Sequence, residues 1–252
     1  MVAPPGLGSL RSEFRASRLA RWSDLAFFTI FAVGAVALGY VAFHAPRFQP
    51  ARDVGIAWAI ATACALPAPF FLWRNWRKRG LGASLYEGGF AFRDRNGVRS
   101  FTWKEIHGVW QKIVRRTYNG IYAGTYHVYT AAPASGPRVV LDSRLISGVE
   151  KLGAVLVRES AAHLLPRYTS AFERGERLSF GSLGLDKEGI YRGRRSLPWA
   201  AVRSVSVARG YLGVYQTGKW LAFCRVRVAD LPNFVVLMMF LERRPARARA
   251  QE

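Results

Sequence analysis

Two uncharged apolar stretches, residues 25–43 and 54–73, constrain this chain more than any other feature. They are 19 and 20 residues long, the length at which an α-helix crosses a hydrocarbon core roughly 30 Å thick. Ten residues, 44–53, join them, enough for a tight turn and too few for a domain. The pattern predicts a helical hairpin in a membrane, with everything after Arg74 hanging from it. Burial in a soluble core is disfavoured by the matched basic flanks. A cleaved signal peptide is disfavoured because the second stretch follows at once and no small-x-small site stands near His44.

Arg11, Arg15, Arg18 and Arg21 precede the first stretch, and Arg74, Arg77, Lys78 and Arg79 follow the second. The loop between them holds only Arg47 and Arg52, offset by Asp53. The positive-inside rule then predicts a multi-pass protein with both termini in the cytoplasm. Trp22, Trp73 and Trp76 fall at the cytoplasmic boundary, where indole rings favour the headgroup layer. Pro67 and Pro69 predict a kink or an early end to the second helix. Gly34, Ala35, Ala37 and Gly39 either let the helices approach closely or are ordinary membrane-helix composition.

The chain carries a formal net charge of +21, and residues 81–252 alone hold 27 Lys and Arg against 13 Asp and Glu. Beside an anionic leaflet each well-placed basic residue is worth about 1 kcal/mol. The expected partner is the lipid bilayer, with anionic lipid headgroups as candidate ligands. Other membrane proteins or a second copy are alternatives. Nucleic acid is disfavoured, because no helix-turn-helix, zinc-finger or RNA-recognition signature is present. Cys64 and Cys224 are predicted to lie in the membrane and in a cytoplasmic strand, an arrangement that gives no structural disulfide. His44, His107, His127 and His163 form no metal-ligand spacing with any other ligand, so no metal and no cofactor is predicted.

The remaining chain contains one pattern twice. Leu85, Gly89 and Phe90 are followed by Trp103, Ile106 and Val109; Leu185, Gly189 and Ile190 are followed by Trp199, Val202 and Val205. The second copy is four residues shorter between glycine and tryptophan, as a trimmed hairpin loop would be. Gly89 and Gly189 suit turns with positive φ. Asn96-Gly97 and Asn119-Gly120 are hairpin signals between β-prone runs. The strands expected in the first copy are 90–93, 98–103, 109–118, 121–130 and 138–141, with Tyr122, Tyr126 and Val128 on one face. A helix capped by Asp142 or Ser143 should reach at least His163 before Pro166 breaks or kinks it. The second copy should hold strands 181–185, 189–192, 196–199, 202–207, 212–216 and 220–228. Its closing helix would have Asp230 as N-cap and Pro232 in its first turn.

A meander closed by one helix, with this tryptophan step, resembles the bacterial pleckstrin-homology-like domains. Gly89, Phe90, Trp103, Ile106, Val109 and their counterparts Gly189, Ile190, Trp199, Val202 and Val205 carry the resemblance, which covers residues 82–243. A two-helix anchor followed by tandem copies is similar to membrane-anchored bacterial families of unknown function. The resemblance implies an α+β fold with a membrane anchor, in the plasma (inner) membrane of a bacterium. A two-helix transmembrane hairpin would precede two modules, each an antiparallel β-meander or barrel with a C-terminal helix. The expected parts are a basic cytoplasmic segment (1–23), the hairpin (24–80), a first module with a long helix (81–176), a second module (177–243) and a disordered basic tail (244–252). The long segment 143–176 and the short final helix depart from the family pattern, and either is compatible with the halves packing as one unit.

No P-loop, GxSxG, HExxH or paired-carboxylate motif is present, so no catalytic residue is assigned. Gly181-Ser182-Leu183-Gly184 reads as a tight turn. Gly89, Trp103, Ile106, Gly189, Trp199 and Val202 are assigned to the structural core of the two copies. Trp110, Lys112, Arg115, Arg116, Tyr118 and Tyr122 form an aromatic-basic cluster with two open readings: a surface for lipid headgroups or another ligand, or a solvated hairpin face. The expected function is that of a non-enzymatic binding or scaffold protein presenting basic modules at the membrane. The alternatives are a structural component of a membrane assembly and, more weakly, an unrecognised enzyme.

Overall fold

The structure is a computed structural model and describes residues 6–44, 51–78 and 80–243. Residues 45–50 of the expected loop, Arg79 and the expected tail 244–252 lie outside the described residues. The described chain is a mixed α+β structure, with an N-terminal apolar helix and four antiparallel sheets.

Three helices form the apolar region: α1 (Arg18–His44), α2 (Ala51–Ala65) and α3 (Pro67–Lys78). Within α1, Trp22–His44 is the one helix among the described residues long and apolar enough to cross a membrane, and 6% of its apolar window is buried by the rest of the chain. The second apolar stretch is not one continuous helix. Pro67 and Pro69 have no N–H for the carbonyls of Ala63 and Ala65, and the helix breaks at Leu66. Neither the 15 residues of α2 nor the 12 of α3 reach spanning length alone. Both still pack on α1. Phe71 stacks on Phe27 and Phe31, with ring centroids 5.3 and 5.7 Å apart, and Trp58 lies against α1 at Gly39. At the base, Arg74 donates hydrogen bonds to the fully buried carboxylate of Asp24.

The first sheet has the order β1 (Leu10–Arg15), β2 (Gly82–Tyr86), β3 (Gly89–Asp94), β4 (Gly97–Thr102). β1 precedes the three helices and β2 follows them, yet Arg15 and Gly82 are direct partners. The helices are therefore an insertion between two paired strands. Segment 1–23, expected to stand apart, supplies an edge strand, and a boundary at residue 81 cuts through the sheet. The second sheet is β5 (Ile106–Tyr118), β6 (Ile121–Pro133) and β7 (Val139–Asp142), followed by α4 (Val149–Glu173).

The same order recurs downstream. β8 (Leu178–Phe180), β9 (Leu183–Leu185), β10 (Gly189–Arg192) and β11 (Arg195–Pro198) form one sheet. β12 (Val202–Ala208), β13 (Tyr211–Gln216) and β14 (Ala222–Arg227) form another, and α5 (Phe234–Glu242) closes it. Where the chain leaves β1 for the helices, it passes from β8 to β9 over Gly181 and Ser182. Trp103 and Trp199 each open a single 3-10 turn. Their indole N–H groups donate to the carbonyls of Glu87 and Asp186, both at 2.9 Å. Both rings are buried, as are Ile106 and Val202. Neither Gly89 nor Gly189 has a positive φ. Their reason is space: a Cβ on either would collide with a carbonyl oxygen of the next strand, that of Phe101 or Leu197.

Neither helix is capped where the sequence suggests. α4 starts at Val149 behind Gly148, because residues 144–147 are held against the end of β1. Ser17 N–H donates to Leu145 O at 2.7 Å, and Ser147 N–H to Arg15 O at 2.9 Å. Asp142 instead accepts from Arg144. Pro166 sits inside α4 without ending it. In front of α5 the capping residue is Asn233, while Asp230 belongs to a preceding 3-10 turn.

α4 serves two cores. Its first half gives Val149, Leu152 and Leu156 to a core with Phe90, Trp103, Ile106 and Leu141. Its second half gives Ala161, Leu164, Tyr168 and Phe172 to a core with Phe180, Trp199, Leu212 and Leu237. Gly153 faces the Tyr129 ring so closely that any Cβ would collide with it.

A second link is Asn233, 6% exposed, with φ +52. Its backbone N–H donates to Val109 O at 2.8 Å, and its side-chain oxygen accepts from Val109 N–H at 2.9 Å. Its amide NH2 donates to His107 O at 2.9 Å and to the Tyr168 hydroxyl at 3.2 Å. The side chain thus caps the start of β5 from the other half of the chain. Asn233→Gly keeps the positive φ but leaves the Val109 N–H unpaired. The expected loss is about 1–3 kcal/mol, read as a lower melting temperature of the full chain in detergent and faster hydrogen exchange at Val109. Unchanged exchange there would show that the contact does not couple the halves.

Candidate functional site

β5 and β6 are each 13 residues long, about 43 Å at strand rise, while β7 pairs only with Val128–Ala131 of β6. Residues 113–127 therefore form a two-stranded hairpin projecting beyond the sheet. Asn119 and Gly120 turn it, both with positive φ (+48 and +80), a type I′ turn whose twist matches the strands. The apolar tip is open: Tyr118 is 75% and Ile121 74% exposed.

Strand alternation sorts the six cluster residues. Val109 and Tyr129 point into the core, so Trp110, Lys112, Arg116 and Tyr118 share the outer face. Arg115 is on the opposite face. Tyr122 joins it, not Tyr126 and Val128, because a bulge at Ala123 pairs Tyr122 with Thr117. Arg115 accordingly lies over the Tyr122 ring, 5.0 Å from its centroid. The structure thus brings four of the six together and sends two to the other side.

The outer face gains three residues from outside the six-residue cluster. Arg138 lies over Trp110 at 4.6 Å, and the Tyr126 ring is approached by Arg116 at 4.8 Å and Arg144 at 4.7 Å. Trp110 is held down because Gly108 beneath it has no side chain; a Cβ there would sit 2.9 Å from the indole. Stacked guanidinium groups keep their N–H edges available for anionic oxygens. The arrangement is a basic face with a fixed aromatic floor whose guanidinium edges can meet anionic oxygens. Its acid is Asp142, gripped by a bidentate Arg144 at 2.5–3.0 Å. Burial pushes the Asp142 carboxyl up. Hydrogen bonds from the Arg144 side chain and backbone, with the charges of Arg144 and Arg116, outweigh that and hold its pKa below the ordinary carboxylate value.

Elsewhere the chemistry is sparse. Cys64 and Cys224 are free, and burial pushes the Cys224 thiol up. Among the described residues, no group of three His, Cys, Asp or Glu could hold a metal ion.

Fold and surface together define a mixed α+β protein with an exposed apolar N-terminal helix and a basic, aromatic sheet face. It belongs to a family of unknown function (DUF6585), which its residues 1–250 match. No curated protein and no solved structure matches the chain.

A carboxyl with a lowered folded pKa stabilises the fold above its unfolded pKa, about 3.9. That contribution is lost as pH falls through the lower folded value. Asp142→Asn should therefore lower the melting temperature near neutrality, and the gap from the parent should close below about pH 4. Melts of the full chain in detergent across that range check this; a gap independent of pH would remove the ion pair as its source.

Proposed function

We propose that this chain is a non-enzymatic binding or scaffold protein anchored in a bacterial inner membrane, presenting two pleckstrin-homology-like modules to the cytoplasmic leaflet. α1 crosses the bilayer and the kinked pair α2–α3 returns, leaving both chain ends on the cytoplasmic side. The basic flanks of the apolar stretches support that orientation. The recurrence of strand order, tryptophan turn and indole hydrogen bond supports descent of the modules from one duplicated unit.

The observation that carries the reading is where the β5–β6 hairpin projects. Its free part starts beside Asp142, where Ser143 N–H donates to His127 O at 2.9 Å. A few residues on, Leu145 and Ser147 are bonded to Ser17 and Arg15, directly before α1. The overhang therefore leaves the sheet at the end where the chain enters the membrane. Residues 121–127 extend it by about 24 Å, carrying Arg115, Arg116 and an apolar tip towards the headgroups, with Lys112 at its root. A solvated hairpin face would need no such placement.

A fragment starting at residue 82 would lack β1, so it is the wrong test protein. Arg15 and Gly82 are strand partners, so a linker of about four residues replacing 18–80 should close the gap. We expect that protein to fold and to co-sediment weakly with vesicles containing anionic lipid. Arg115→Ala or Arg116→Ala should each cost about 1 kcal/mol or less, since a diffuse attraction is shared. Raising salt from about 0.15 M to about 1 M shrinks the Debye length from about 8 to about 3 Å and should release most of it. A folded protein that ignores anionic vesicles at low salt would favour the assembly-component reading.

A further inference from the structure

A small cavity lies where the two halves of the chain meet, at the N-terminus of α5. Gln111 of β5, Ser160 of α4, Asn233 and the first residues of α5, Phe234, Val235 and Val236, line it, and the rest of the lining is apolar. The space free to the centre of a water-sized sphere is about 10 Å³. That is room for one such occupant and too little for a phosphate group.

The local sequence leaves this helix end without a cap. Asn233 stands at the capping position, but its side-chain oxygen accepts from Val109 N–H at 2.9 Å and makes no bond to α5. Leu237 N–H donates to Asn233 O at 3.1 Å. The three N–H groups before it, those of Phe234, Val235 and Val236, have no acceptor among the described residues. Bulk water serves such groups at an exposed helix end, but Val236 is fully buried.

A second observation, on a different helix, points into the same space. Ser160 is 1% exposed, and its hydroxyl has no hydrogen-bond partner among the described residues. A serine inside a helix commonly turns its hydroxyl back to the carbonyl four residues earlier. Here that carbonyl is Leu156 O, and the bond is not made. Two sets of buried donors, one from each half of the chain, thus face one cavity.

The chemistry of the lining favours an anion. Orphan N–H groups and the positive end of the helix dipole attract negative charge. No acid lines the cavity. Glu159 lies outside the lining, and its carboxylate accepts from Arg158 at 2.9 Å. Water would need acceptors for its own hydrogens, and Val109 O already receives Asn233 N–H at 2.8 Å. An anion only accepts, so a lining rich in donors suits it better.

We propose that this cavity binds a single monovalent anion of chloride size, held by the N–H groups that open α5 and by the Ser160 hydroxyl. The site is independent of the membrane reading. It ties α5 to α4 and β5 beside the Asn233 contact, so occupancy stabilises the joined halves.

The test is a melt of the full chain in neutral detergent as sodium chloride replaces sodium gluconate. The total ionic strength is held constant, so screening does not change. We expect the melting temperature to rise to a plateau with chloride and equally with bromide, while gluconate, too large for the cavity, has no effect. Ser160→Ala should raise the half-saturating chloride concentration about ten-fold or more. Without chloride it should melt no lower than the parent, because it removes a buried unpaired hydroxyl. Ser170→Ala, an exposed position on the same helix, should keep the parent response. If Ser160→Ala fails to fold, hydrogen exchange in the parent decides: chloride should slow the amides of Phe234, Val235 and Val236. A melting temperature indifferent to chloride would overturn the site. So would the same chloride response in Ser160→Ala as in the parent, which would assign the effect to diffuse surface attraction. A loss of stability in Ser160→Ala that is equal with and without chloride would make the occupant a water and overturn the anion.

Discussion

The pairing of β1 with β2 is the constraint on which the rest of this structure depends. It brings the two ends of the helical region to neighbouring strands, about 5 Å apart at the backbone. Helices leaving from adjacent strands can run side by side, which the Phe71 stack on Phe27 and Phe31 fixes. The pairing also removes slack. A domain on a single linker would swing freely, whereas this sheet is continuous with both ends of the insertion. Arg95 adds a brace: its guanidinium donates to Trp76 O at 2.6 Å and lies over the Trp76 ring. Whatever the first module binds, it is held at one height and one orientation relative to α1.

α4 passes that rigidity on. A helix between two modules would ordinarily be a joint, but here each end is buried in a different core. Gly153 permits the close approach that lets Tyr129 pack beneath α4, at the helix-propensity cost a mid-helix glycine carries, about 1 kcal/mol relative to alanine. Asn233 then joins the second half to the start of β5 by backbone-directed hydrogen bonds in a buried setting. Such bonds are specific because leaving either partner unpaired costs more than the bond itself contributes. Two independent links, one apolar and one polar, make the modules one body.

The sequence was most legible where one face of a strand is buried. The hairpins at Asn96-Gly97 and Asn119-Gly120 fall at the turns the glycines mark, because φ above zero leaves few other residues. β1 was not legible. Its core-facing contribution is Phe14, its other residues are largely exposed, and its partner lies across the inserted helices. The face of Tyr122 was misread although a signal existed: Gly124 inside a strand pattern marks a bulge, and one extra residue reverses every side chain beyond it. Gly89 and Gly189 were noticed for the wrong reason, since crowding by a carbonyl and positive φ select the same residue. Arg138 and Arg144 escaped because they flank β7, one just before it and one in the turn after it, and only the fold places them over Trp110 and Tyr126.

This layout separates the charges by role. The tip of β5 is Tyr118 and the Asn233 contact is at Val109, nine residues back, about 30 Å at strand rise. The second module is clasped at the end of β5 away from the hairpin tip. It holds eleven Lys and Arg against four Asp and Glu within residues 177–243. With a Debye length of about 8 Å at physiological ionic strength, charges that far from the tip contribute little to attraction at the tip. The uniform basicity of the sequence therefore splits into two problems. On the second half, Arg195 over Phe223 and Arg225 over Tyr211 repeat the stacked-guanidinium device of the β5–β6 face.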